Sequence, residues 1–187
     1  MLFFKKNNLN LFLFLSLTIN LSMGIANEIN NFDIKGINVG RDDNSIFISL
    51  EQSSTLPPNI IELLERGIPI AFNLKIEIIK ENKFWFDKVI QHYNYSYQIK
   101  YFSLRKVFEV IDIKGNTKSF KSEQEAIQSL LNKKEIIIKK YKNLEKTKLK
   151  IWVELDKGRL PKAIQADVFN KSWDVQSNII LYDMREL

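Results

Sequence analysis

The sequence predicts a β-rich α+β domain, built from a mostly antiparallel sheet or sandwich with two short helices. The strongest indication is the segment 68–79, where apolar and polar side chains alternate as they do along a strand with one face on a core. Shorter segments of the same kind follow, separated by polar or Pro/Gly turns. With 187 residues, of which 45% are hydrophobic, the chain is long enough to bury one real core.

The first 26 residues have the order of a secretory signal peptide. Two lysines precede an apolar run over residues 11–17, and small residues stand near Ala26. We therefore expect cleavage after Ala26, which leaves residues 27–187 as a single exported, periplasmic domain. An uncleaved inner-membrane anchor is the alternative, although the apolar run is shorter than the roughly 20 residues that span a bilayer.

The first predicted elements of the domain lie between residues 45 and 79. Residues 45–53 alternate like a half-buried strand. Residues 55–67 predict a short helix, because two prolines suit its entrance and Gly67 suits its end. The strand over 68–79 would reach about 40 Å at ~3.3 Å per residue, so we expect a bend or a bulge in it.

The later segments predict a meander, a second helix and four more strands. The meander continues through strands at 84–93, 95–104 and 105–113, with a turn at 114–117. A capping box of Ser122 and Glu125 begins a helix over residues 122–132. The four remaining strand predictions are 135–141, 148–156, 162–170 and 173–184.

The sequence lacks the patterns of known catalytic sites, such as a G-x-S-x-G elbow or an H-E-x-x-H motif. The single histidine, His92, lies among aromatic residues and is expected to be packed or half-exposed. Asp87 and Asp156 each follow an apolar segment and could act as a glycosidase-like pair if they converged. The simpler interpretation is that each accepts hydrogen bonds from a turn backbone. We therefore predict no catalytic residue and no cofactor.

The net charge and the lack of cysteine limit the classes of ligand and partner that the protein can bind. The chain has no cysteine, so it forms no disulfide, no thiolate metal site and no lipoprotein anchor. Its net charge is +6, but an exported protein rarely meets nucleic acid. The lysine-rich segment 132–150 could contact an anionic membrane surface weakly, or it could be a solvated strand edge. Trp152 falls on the strand face opposite the core, where we expect a covering helix or else a partner.

Three blocks of the sequence resemble the DUF4390 family in order and spacing: 64–90, then 99–112 together with 119–131, then 152–177. That family consists of exported bacterial proteins of unknown function, some of them labelled proline-rich signal peptide proteins. The resemblance implies export and the extent of the domain, but no activity. It also implies a link to envelope sensing, because such genes often lie beside a sensor kinase and its regulator. The matching positions, all of unknown role, include Gly67, Pro69, Trp85, Asp87, Tyr101, Asp156, Pro161, Lys162, Gln165 and Trp173.

Three functional hypotheses follow. The first is a non-catalytic binding or accessory module of the cell envelope, acting through contacts with a protein partner. The second is a periplasmic carrier of a lipid or another apolar ligand, which would need a large cavity. The third is a hydrolase that uses Asp87, Asp156 and His92, which would need these side chains to converge in one cleft.

Overall fold

Two antiparallel sheets and three helices make up the part of the chain that the structure describes. The structure is a computed structural model, and it describes residues 32–53, 55–82, 86–132, 134–139, 146–165 and 173–186. The strands are β1 (Ile34–Arg41), β2 (Ser45–Gln52), β3 (Ile70–Lys80), β4 (Lys88–Phe102), β5 (Val107–Ile111), β6 (Thr117–Phe120), β7 (Lys134–Lys139), β8 (Thr147–Leu155) and β9 (Ile180–Asp183). The helices are α1 (Pro58–Glu65), α2 (Glu123–Leu131) and the four-residue α3 (Lys162–Gln165). The predicted β-rich α+β class is confirmed.

The strands form a small sheet and a large sheet. The small sheet has the order β1-β2-β7, and the large sheet has the order β6-β5-β4-β3-β8-β9. Their buried side chains belong to one core, and Tyr97 of the large sheet donates a hydrogen bond to Gln52 of the small sheet. The apolar faces of α1 and α2 contribute to the same core. The arrangement is a sandwich with helices packed on it.

Strand β3 lies near the middle of the large sheet and carries the alternation that predicts the fold. Every second residue from Ile70 to Ile78 is fully buried, whereas Asn73, Lys75 and Glu77 between them are half-exposed. β3 pairs with β4 on one side and β8 on the other, and its register with β4 shifts between Ile78 and Ile79. The predicted alternation is confirmed, but the bulge predicted in this strand lies on its partner instead. Ile78 and Ile79 pair with Gln91 and Val89, so the extra residue is Ile90 of β4.

Both predicted helices are present with the expected ends. At the end of α1, the Gly67 N–H donates to the Leu64 carbonyl at 2.8 Å, and the Ile68 N–H donates to the Leu63 carbonyl at 3.0 Å. This is a Schellman ending, and Gly67 takes the positive φ of 77° that it needs. At the start of α2, the Ser122 hydroxyl accepts the Glu125 N–H at 3.4 Å.

Gly67→Ala is expected to lower the free energy of unfolding by ~1–2 kcal/mol, because a Cβ is strained in the left-handed region. The added Cβ would lie 3.6 Å from the Tyr101 carbonyl oxygen, an ordinary contact, so the backbone alone sets the cost. Urea denaturation measures the change. Gly40→Ala is the control, since a Cβ there meets nothing within 4 Å and φ is not positive. Equal effects of the two substitutions would contradict this account.

The sequence predictions differ from the structure in four places. Residues 173–184 do not form one strand: only β9 (Ile180–Asp183) is a strand, and Gln176 before it forms just an isolated bridge with Glu154. β1 was not predicted, although Ile37 and Val39 alternate ahead of a turn in which the Asp42 carboxylate accepts two backbone N–H groups. Residues 95–104 are not a separate strand, because β4 continues without a turn from Lys88 to Phe102. Residues 162–170 were predicted to be a strand, but 162–165 form α3 directly after Pro161, and the rest lie outside the described residues.

Candidate functional site

Several of the predicted positions lie at one end of the large sheet, where β3 begins and β4 and β8 end. The Asp156 N–H donates to the Ala71 carbonyl at 2.8 Å, which joins the end of β8 to the start of β3. Gly67 lies against the backbone of Tyr101 at the end of β4, and the Tyr101 ring packs on Phe108 with centroids 4.6 Å apart. Pro69 is half-buried just before β3. These positions hold three strand ends together.

The Asp156 side chain has a structural role. Its carboxylate lies 3.3 Å from Arg159 Nε, and Arg159 Nη1 donates to Gln98 Oε1 at 3.3 Å. The carboxylate therefore orients an arginine that ties the 3-10 turn Lys157–Arg159 to β4. The sequence predicted that Asp156 would accept bonds from turn backbone, whereas its described partner is this guanidinium.

Gln165 fixes the loop that follows β8. Its Nε2 donates to the carbonyls of Gly158 at 2.9 Å and Leu160 at 2.6 Å, and the Leu160 side chain is buried. Pro161 and Lys162 lie between these anchors and are exposed. Of the positions singled out from the sequence in this loop, Pro161 and Lys162 are the exposed ones.

Trp173 packs against the edge of the core. The side chain is half-buried, and its indole Nε1 is buried without a hydrogen-bond partner among the described residues. The next residue, Asp174, forms an exposed ion pair with Lys157 at 2.9 Å. Exposed pairs of this kind contribute little to stability, so packing of the indole is the main contact.

Asp87 lies at the opposite end of the large sheet from Asp156. It accepts the Asn82 N–H at 3.2 Å, which confirms its predicted role in the turn before β4. The register pairs Lys80 with Lys88 at that end and Phe72 with Leu155 at the other, so about 30 Å of strand separates the two carboxylates. The convergence that the hydrolase hypothesis requires is therefore not found, because Asp87 and Asp156 lie at opposite ends and His92 lies between them opposite Glu77. Trp85 lies outside the described residues.

The described lysines of the segment 132–150 are divided between the two sheets, because Lys134 and Lys139 lie on β7 whereas Lys148 and Lys150 lie on β8. Lys150 lies 3.7 Å from Glu77, and Lys148 forms an ion pair with Glu81. Trp152 lies between two ammonium groups, 4.8 Å from that of Lys150 and 5.7 Å from that of Lys75. Its described contacts are thus charged side chains of its own sheet, and the covering helix that we expected there is not among them. Contact with an anionic membrane surface stays a prediction.

Lys134, at the start of β7, is buried in the interior. Its amine donates to the carbonyls of Leu130 and Asn132 at the end of α2 and lies 4.2 Å from the centroid of the Tyr97 ring. Burial lowers the pKa of Lys134 to about 7, although the charge of Asp112 acts in the opposite direction. Burial also raises the pKa of Tyr97, whose hydroxyl donates to Gln52 Oε1 at 2.9 Å. The three side chains form a connected polar row inside the core.

A mostly apolar cleft of about 760 Å³ opens between the two sheets. We call it the inter-sheet cleft. Its lining includes Val39, Ile48, Ile136 and Ile137 from the small sheet, and Tyr95 and Ile113 from the large sheet and the turn after β5. Phe47 and Ile137, which also line it, face each other across β2 and β7 and are 42% and 63% exposed. Its volume is in the range of small-molecule sites.

A model of a protein family, described as a domain of unknown function (DUF4390), matches residues 30–182. The chain belongs to the DUF4390 family. The resemblance given by the three sequence blocks is therefore confirmed, and the match includes all ten positions singled out from them. No curated protein and no solved structure matches the chain.

Two negative findings apply to the described part of this DUF4390 chain. None of its helices has the length and apolar character that a membrane span requires. In the same residues there is no group of three or more His, Asp or Glu side chains that could hold a metal ion.

Sequence reasoning missed the buried polar row of the DUF4390 domain, although the signal is present in the alternation. Lys134 is in phase with Ile136 and Ile138, which face the core. Gln52 is in phase with the buried residues of β2 in the same way. A polar residue in a core-facing phase marks a group that must find partners inside the protein.

Proposed function

We propose that this DUF4390 chain is an exported, non-catalytic binding module of the bacterial cell envelope. It takes an extended segment of a partner protein at the β7 side of the inter-sheet cleft. The observation that carries the proposal is this cleft, because it combines an apolar lining with exposed large apolar side chains at a sheet edge.

The edge position of β7 favours a protein segment as the occupant. In the described part of the chain, β7 is an outer strand of the small sheet, and Ile137 on it is 63% exposed. An exposed apolar side chain on an edge strand favours pairing with another chain. A partner strand added to β7 would form main-chain hydrogen bonds and place alternate side chains against Ile137 and Phe47.

Export is supported by the N-terminal sequence, in which two lysines, an apolar run and small residues follow one another. The partner is therefore sought among envelope proteins. The family resemblance implies that such genes often lie beside a sensor kinase and its regulator. A sensor kinase system is therefore the first candidate partner to test.

The experiment places a photo-crosslinking amino acid at Ile137 in living bacteria and identifies the adducts by mass spectrometry. The expected result is one discrete envelope protein as the main adduct. Leu181 on the edge strand β9 is the matched control, because it is 61% exposed but does not line the cleft. The same adducts at both positions would contradict a specific site at β7.

A second candidate function is the transport of a lipid or another apolar ligand, and it rests on the volume and apolar lining of the same cleft. It predicts that the protein purified from its own envelope carries a stoichiometric lipid, which native mass spectrometry detects. Lipid adducts at Ile137 together with such a bound lipid would replace the first proposal by the second. A purified protein without lipid would dismiss the carrier.

A further inference from the structure

The hairpin formed by β4 and β5 protrudes from one end of the large sheet. Phe102 is the last paired residue of β4, and residues 103–106 form the turn that leads into β5. Strand β3 begins opposite Ile99, and β6 ends opposite Phe108, so neither neighbouring strand reaches the turn. We call residues 100–106 the hairpin tip.

Leu104 occupies a position in this tip where turns favour small or polar residues. Its side chain is 100% exposed. The Arg105 N–H donates to the Phe102 carbonyl at 3.2 Å. The Lys106 N–H donates to the Ser103 carbonyl at 3.3 Å. These two bonds fix the turn, so the leucine is held in solvent by an ordered backbone and takes no part in the core.

The hairpin tip also carries three cationic side chains. The Lys100 ammonium lies 4.4 Å and the Arg105 guanidinium 4.6 Å from the centroid of the Phe102 ring. Lys106 is exposed and has a positive φ of 51°, which favours glycine or asparagine and strains a lysine. Glu109 pairs with Arg105 at 2.6 Å, which offsets one of the positive charges. A positive charge in excess therefore surrounds the exposed leucine, partly at the cost of backbone strain.

We propose that the hairpin tip docks on the surface of an anionic phospholipid bilayer. Leu104 enters the apolar layer beneath the head groups, while the long side chains of Lys100 and Lys106 stay at the level of the phosphates. A protruding turn of four residues is too small for a stable protein interface, which needs about 800 Å² on each side. The tip shares no residue with the inter-sheet cleft or with the lysine-rich segment 132–150, so this proposal is independent of both.

The test uses the lack of cysteine in the chain, which makes an introduced cysteine a unique labelling site. Ser103→Cys carries an environment-sensitive fluorophore beside Leu104, and the protein is titrated with phosphatidylcholine vesicles that contain about 30% phosphatidylglycerol. Asn82→Cys is the matched control, because Asn82 is exposed at the opposite end of the large sheet and precedes Phe86, which is 94% exposed. We expect a blue shift and a rise in emission from the label at position 103 alone, and only with the anionic vesicles.

Two further substitutions separate the apolar contact from the charge. Leu104→Ser, in the Ser103→Cys protein, is expected to raise the lipid concentration at half-maximal response roughly tenfold. Lys106→Gly is expected to raise it about fivefold, the effect of one charge near an anionic surface. Lys106→Gly also removes the strained side chain, so we expect no loss in its urea denaturation midpoint, and weaker binding cannot then be assigned to unfolding.

Several outcomes would overturn the proposal. A label at position 103 that does not respond to anionic vesicles would do so, as would equal responses at positions 103 and 82. An equal response to pure phosphatidylcholine vesicles would remove the anionic lipid from the proposal. Unchanged lipid concentrations in both Leu104→Ser and Lys106→Gly would contradict the contact. A photo-crosslinker at Ser103 that captures one envelope protein, without any response to vesicles, would assign the tip to a protein partner instead.

Discussion

Phe72→Ala is expected to lower the free energy of unfolding by ~3–5 kcal/mol, the largest effect of a single truncation that we predict. The ring is fully buried on β3 and stacks between Phe32 at 4.8 Å and Tyr97 at 5.6 Å. Because β3 is paired on both sides, the backbone cannot move to fill the cavity.

Urea denaturation followed by fluorescence measures this loss. The control is Phe47→Ala, which removes the same ring from a position that is 42% exposed. We expect a loss below about 1 kcal/mol there, because little area is removed from water. Similar losses in the two variants would show that the stack of Phe32, Phe72 and Tyr97 is not the centre of the core.

The free energy of unfolding of the wild-type protein is expected to rise between pH 7 and about pH 10, and Lys134→Met is expected to abolish this rise. In the folded protein the pKa of Lys134 is lowered to about 7, whereas in the unfolded chain it stays near 10.5. Between these values the unfolded chain binds more protons, so the free energy of unfolding rises with pH. The difference between the two pKa values corresponds to up to ~5 kcal/mol. Above about pH 10 the raised pKa of Tyr97 reverses the trend, because the unfolded tyrosine ionises first.

Urea denaturation at several pH values between 6 and 10 checks this prediction. Lys150→Met is the control, because Lys150 lies half-exposed beside Glu77 and its loss leaves Lys134 in place. The control is expected to keep the rise that Lys134→Met removes. If the free energy of unfolding of the wild-type protein is constant over this range, Lys134 is not buried with a lowered pKa, and this account is contradicted.

The alternation of apolar residues predicts most of the fold, because burial of one strand face is a local property of the sequence. Strands β2, β3, β7 and β8 follow from it. The start of α2 follows from a different local signal, the spacing of Ser122 and Glu125 in a capping box. β1 and α3 were missed because their sequences carry weak local signals. β1 contains two glycines, and α3 is only one turn long. Such elements depend on long-range contacts, which the strand and helix propensities of single residues do not describe.

The candidate sites could not be predicted in the same way, because they depend on which strands become neighbours. The sequence singled out Asp87 and Asp156 as a pair, but the antiparallel register of β3 places them at opposite ends. Gln52 and Tyr97 are far apart in sequence, and only the packing of the two sheets brings them within hydrogen-bonding distance. The inter-sheet cleft likewise exists only where two sheets meet.

The central claim, that the inter-sheet cleft is the binding surface, is tested most directly by filling it. Ile113 lines the cleft from the turn after β5 and is half-buried, so Ile113→Trp adds volume there without touching β7. The measurement is the yield of the partner adduct from the crosslinker at Ile137 in cells that carry this substitution. We expect the yield to fall at least tenfold while the protein remains folded and at its normal level. An unchanged yield in the filled variant would contradict the cleft as the binding surface.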